Sequence, residues 1–144
     1  MKKIMLLFAV LLNTLNGCQM SDSKMIELKE KMFVAQTNEI YTNRGDYLGK
    51  TIKYEGIFKE YEIPEADMKS YSVFRYVSDC CNIDGIAGFE VKWNNEYPNS
   101  DDWVEAIGVL EEYSAADGRK YLRIELTSLK KLPTRGAEIV FKFM

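Results

Sequence analysis

Residues 50–59 read KTIKYEGIFK, and their order decides the fold. Ile52, Tyr54 and Phe58 alternate with Lys53, Glu55 and Lys59. A period of two sends the two sets to opposite faces, which is the pattern of a half-buried strand. Gly56 falls on the apolar side, where a missing side chain marks a bend or bulge. The same period recurs further along the chain. Residues 71–79 are rich in aromatic and β-branched side chains. Ala87, Phe89, Val91 and Trp93 alternate with Gly88, Glu90 and Lys92. After a polar break over 94–102, Val104, Ala106, Gly108 and Leu110 share a face. Ala116-Asp117-Gly118 is a turn signal, and Leu122, Ile124 and Leu126 follow against Arg123 and Glu125. A last short strand is expected over 138–143, beyond Pro133 and Gly136. Five main strands with closely spaced turns predict a sandwich or barrel. The longest gap lies between the third and fourth, where a five-stranded OB barrel carries its helix or connecting loop. The expected fold is therefore mainly β, an OB-fold-like five-stranded barrel. A short N-terminal helical segment over 41–49, stopped by Gly49, precedes it.

Composition narrows the function. The chain has 144 residues, room for one domain of ordinary size. Hydrophobic residues make up 47% and charged residues 28%, a globular balance. The net charge of −3 leaves no cationic surplus for phosphate, which argues against nucleic acid. Histidine is absent, so imidazole bases, His ligands and His-containing triads are excluded.

The amino terminus has the build of an export signal. Lys2 and Lys3 precede an unbroken apolar run over 4–12, which is too short for a membrane-spanning helix. Leu15-Asn16-Gly17-Cys18 then resembles a bacterial lipobox, in which the cysteine after a small residue becomes the lipidated amino terminus. The alternative is an ordinary signal peptide with a chance cysteine. The expected organisation is a lipoprotein signal peptide over 1–17, a tether over 18–32 and the barrel domain over 33–144. Lipidation at Cys18 fixes the protein to a membrane on the extracytoplasmic side of the cell envelope. Loss of Lys2 and Lys3 with the leader takes the charge from −3 to −5.

A wider pattern runs Asp46-Tyr47-Leu48-Gly49-Lys50-Thr51-Ile52, Gly56, Phe74-Arg75-Tyr76, Cys80-Cys81-Asn82-Ile83-Asp84-Gly85, then Asp102-Trp103-Val104 and Gly108. It resembles the extracytoplasmic C-terminal domain of the YcgQ-type bacterial permease-subunit family, from about residue 33 to about 133. The Cys-Cys-x-x-Asp element is its specific part. The resemblance implies an OB-like domain working beside a permease, with a link to metal homeostasis, zinc being the candidate. Three departures stand out, one being that the segment after Pro133 is unlike the proline- and tyrosine-rich end expected. Membrane helices usual in the family give way here to a lipid anchor, and Ile83 and Gly85 replace the alanines expected around Asp84.

Cys80, Cys81 and Asp84 are the candidate metal site. Two thiolates and a carboxylate are ligand types that zinc accepts. At the end of the second strand, adjacent cysteines would point to opposite faces. A vicinal disulfide is a second possibility, since exported proteins meet an oxidising environment, and a small buried hydrophobe with an incidental neighbour is a third. Arg75 is placed to pair with Asp79 on one strand face. Tyr71, Phe74 and Tyr76 suggest a stacking platform, core packing or a protein contact. Glu60, Glu62, Glu65 and Asp67, with Glu111 and Glu112, read as solvated charge. The expected function is an anchored ligand- or partner-binding domain and not an enzyme, accessory to a permease or to metal homeostasis. The alternatives are a thiol redox protein or a structural envelope lipoprotein.

Overall fold

The computed structural model describes residues 24–142. The leader and Cys18 lie outside the described residues. The elements in chain order are β1 (Ile26–Glu27), α1 (Phe33–Thr42), α2 (Arg44–Tyr47), β2 (Thr51–Ile63), β3 (Met68–Ser78), β4 (Ile83–Lys92), β5 (Trp103–Ser114), β6 (Lys120–Lys131) and β7 (Ile139–Phe141).

Five of these strands close a barrel. Along β2, residues 51–57 pair antiparallel with β5 and residues 57–63 pair antiparallel with β3. From β3 the ladder runs to β4 antiparallel, from β4 to β6 parallel, and from β6 back to β5 antiparallel. Numbered within the barrel, that order is 1-2-3-5-4-1, the OB-like Greek key expected from the strand spacing. The gap between the third and fourth barrel strands is a loop, and the helices precede the barrel.

The switch of partners explains why alternation fails in β2. Ile52 and Tyr54 are buried in turn, but Gly56, Ile57 and Phe58 are buried consecutively. At Ile57 the strand leaves β5 for β3, so the bend carries both faces inward. Gly56 allows it, because a Cβ there would stand 2.7 Å from the Phe74 carbonyl oxygen. Inside the barrel, Tyr54, Phe58, Phe89 and Ile124 join Phe33 and Ile40 of α1 in one apolar cluster. Outside it, Ile57, Phe74 and Trp103 form a second, smaller cluster with Tyr76 and Leu132. Each fully buried side chain of this size contributes about 1.5–3 kcal/mol.

Four expectations change. The helical region begins at Phe33 and not at 41, because Phe33, Val34, Thr37 and Ile40 supply a helical apolar stripe that closes one end of the barrel. Residues 26–32 join the body instead of trailing as tether: Ile26 pairs with Ile52, and Leu28 is buried. Strand β4 starts at Ile83, ahead of Ala87. Arg75 does not pair with Asp79. It is 4% exposed, its Nε donates to the Glu55 carbonyl at 2.8 Å and an Nη donates to the Ala137 carbonyl at 3.2 Å. Its guanidinium lies 4.8 Å from the Phe33 ring and 4.9 Å from Trp103.

Candidate functional site

Cys80 and Cys81 do not end a strand. Strand β3 stops at Ser78, and both cysteines sit in the turn to β4, exposed and free. The backbone leaves the pleat there, so the thiols do not diverge: their Sγ atoms are 3.0 Å apart. The buried-hydrophobe alternative is thereby overturned. Asp79 holds the turn, its Oδ1 accepting the Cys80 amide at 2.7 Å and the Cys81 amide at 3.3 Å. Those amides hold the Asp79 carboxyl below the usual carboxylate range. The shared hydrogen bond with Cys80 raises the Cys81 thiol. Asp84, the third expected ligand, bonds the Lys142 ammonium. Among the described residues no three ligand-type side chains converge, so these residues alone do not complete a four-ligand zinc site.

Next to this turn, the sheet carries an apolar corner that the sequence analysis missed. Strand registers set Tyr76 between Ile86 and Ile139, and Ser78 between Ile83 and Phe141. Paired residues share a face. The four outer side chains are each 42–57% exposed. The available signal was Ile86, out of phase with Ala87, Phe89 and Val91; Ile83 is in phase with them and joins Ile86 only through the register shift at Val77/Ser78.

Further along β3 and β4, the same outer face meets α1 in a groove of about 350 Å3. Asn38, Tyr41, Ser72, Phe74, Ile86 and Glu90 are among its lining residues, and no lysine or arginine lines it. Tyr41 stacks on Phe89, centroids 5.2 Å apart and 9° from coplanar. Its hydroxyl donates to the Gly88 carbonyl at 3.0 Å. Glu90 accepts the Tyr113 hydroxyl at 2.5 Å. Burial, then the charge of Glu90, pushes the Tyr41 phenol up to about 12. Burial and the bond to Glu90 do the same for Tyr113, also to about 12.

A pH prediction follows. Both phenols are harder to ionise folded than unfolded, so their contribution to stability is complete below pH ~10. It is lost as pH rises from there through about 12. Thermal melts from pH 8 to 12 should show this alkaline fall. In a 295 nm titration, part of the nine tyrosines should ionise late. Native tyrosines all titrating near pH ~10 would contradict it.

The remaining candidates separate. Tyr71 stacks on Tyr97 at 3.8 Å, whereas Phe74 packs edge-on to Tyr76 at 5.4 Å, so the three expected aromatics form no single platform. Glu60 pairs with Lys69, Glu111 with Arg123, and Glu112 with Arg44 and Lys120.

Comparison with known proteins gives three findings. A family model described as the DUF1980 C-terminal domain matches residues 13–142, longer at both ends than the stretch carrying the motifs. Among curated proteins none matches. The second OB-fold domain of replication protein A from Methanococcus maripaludis, a solved structure, aligns at 15% identity. It covers 62% of this chain and 89% of that one, with a TM-score of 0.27.

Proposed function

This chain belongs to the DUF1980 C-terminal domain family, and on that premise we propose that it is an extracytoplasmic lipoprotein whose OB-like head binds a membrane partner. Cys18 carries the lipid anchor, and the partner is a permease that this domain assists. One observation carries the reading: Ile83 and Ile86 of β4 and Ile139 and Phe141 of β7 are exposed apolar side chains flanking Ser78 and Tyr76 of β3. Isolated surface hydrophobes need no explanation, but a contiguous set marks an interaction surface. The leader and the Gly17–Cys18 junction support anchoring. Several acyl chains hold far more firmly than one. Lys24 lies six positions beyond Cys18, so a fully extended tether keeps it within about 20 Å of the lipid.

A photocrosslinking residue at Ile83 tests the partner. In native envelopes it should capture an integral permease subunit, whereas the same probe at Lys120 should not. Equal capture from both sites, or none from Ile83, contradicts the reading.

The thiol pair supports a second reading, a soft-metal or redox site at the rim of this corner. Two exposed sulfurs 3.0 Å apart favour it. With Cys18 acylated, two thiols per chain should react with maleimide without denaturant, and Cys81→Ser should leave one. Zinc titration of both proteins separates the versions. Equal, weak zinc binding by wild type and Cys81→Ser would retire the metal.

A further inference from the structure

We infer that the groove between α1 and the outer face of β3 and β4 is a binding site for a neutral oligosaccharide, a chain of pyranose rings with equatorial hydroxyls. The groove extends beyond the apolar corner and shares Ile86 with it, so the inference does not rest on the permease reading.

Three observations converge. The first is an aromatic platform. The Tyr41 ring is backed by Phe89, held by its bond to the Gly88 carbonyl, lines the groove and remains 45% exposed. A pyranose ring with equatorial hydroxyls presents a flat C–H face, which the negative face of an aromatic ring attracts. The second is an unmet polar atom. Ser72 also lines the groove, and its Oγ is buried with no hydrogen-bond partner, the one such side-chain atom among the described residues. An unsatisfied buried hydroxyl is costly unless a bound group completes it. The third is the polar set and its charge. Asn38 offers an amide, and Glu90 a carboxylate that already accepts the Tyr113 hydroxyl.

These groups choose between ligand classes. With no cation in the lining and a carboxylate present, an anion would meet repulsion unrelieved by any partner. A basic peptide could use Glu90, and its backbone amides could meet Ser72, so tetralysine is the competing probe. A neutral sugar supplies hydroxyls that both donate and accept, together with an apolar face. A few placed polar groups in an otherwise apolar groove fix such a ligand's orientation. The face of the second and third strands is also where barrels of this topology bind oligonucleotides and oligosaccharides, and a lining with a carboxylate and no cation disfavours the first.

The test uses the full-length chain in a detergent without a sugar headgroup. NMR shifts are followed on adding cellotetraose, chitotetraose, a heparin tetrasaccharide or tetralysine. At least one neutral tetrasaccharide should bind saturably and move the Ser72 and Glu90 amides. Tyr41→Ala should weaken binding about ten-fold or more. Ser72→Ala should weaken it several-fold while leaving the melting temperature equal or higher, because the unmet hydroxyl is gone. A role confined to folding would not give these opposite signs. No saturable shift with either neutral probe up to about 10 mM overturns the inference, as does affinity unchanged in both variants. Tighter binding of tetralysine or the heparin fragment at these residues also overturns it, and leaves the apolar corner reading intact.

Discussion

Gly108→Ala is expected to cost the barrel a large share of its stability. Gly108 sits where the β5–β6 register slips, with Ile107 opposite Ser128 and Gly108 opposite Leu126. A Cβ at this position would lie 2.3 Å from the Glu125 carbonyl oxygen and 2.7 Å from the Leu126 Cα. Both are backbone atoms of the neighbouring strand and cannot swing aside as a side chain would. Relief requires β6 to move off β5, yet β6 also pairs with β4 to close the barrel. Ordinary overpacking costs about 1–3 kcal/mol. Displaced backbone should exceed that, at about 4 kcal/mol out of a total of about 5–15. The melting temperature should fall by on the order of 15 °C. Gly45→Ala is the control. Nothing lies within 4 Å of its added methyl, and alanine is the better helix former, so stability should hold or rise. If the two variants melt together, the close approach at Gly108 is wrong.

Arg75→Met should also be strongly damaging. Arg75 ties three distant parts of the chain to β3: Glu55 of β2, Ala137 ahead of β7, and Glu30 ahead of α1 at 3.6 Å. Removing the guanidinium leaves the Glu55 and Ala137 carbonyls without these bonds and strips the faces of Phe33 and Trp103. The ion pair itself counts for little, since the Glu30 side chain is 56% exposed. Lost hydrogen bonds and stacking should together cost about 3 kcal/mol. Arg75→Lys should recover less than half, because one ammonium cannot bond two carbonyls and stack flat on two rings. Denaturant unfolding of the three proteins measures this. Full rescue by lysine would show that charge, and not planarity, is what the site uses.

The barrel was legible because its strands have one wet face. Ile52 and Tyr54, Ala106 and Leu110, and Ile124 and Leu126 keep the period of two that the ladder demands. Alternation failed where one strand serves two partners, at Gly56 and Ile57. The start of α1 was hidden because Phe33 and Val34 adjoin a polar stretch that reads as tether. The thiol pair was visible as a motif, but not its geometry, since a turn releases adjacent side chains from the opposite faces a strand would impose. Arg75 reads as half of a local pair in one dimension. Its partners lie 20 and 62 residues away along the chain. The groove was illegible for the same reason: Tyr41 and Ser72 meet only after α1 docks on the sheet.

The mass of the protein extracted from cell membranes tests the whole account most directly. The account predicts a chain beginning at Cys18 with the added mass of its acyl groups, and a Cys18→Ser variant that carries none. An unmodified chain beginning at Met1, recovered from the cytoplasm, would contradict it.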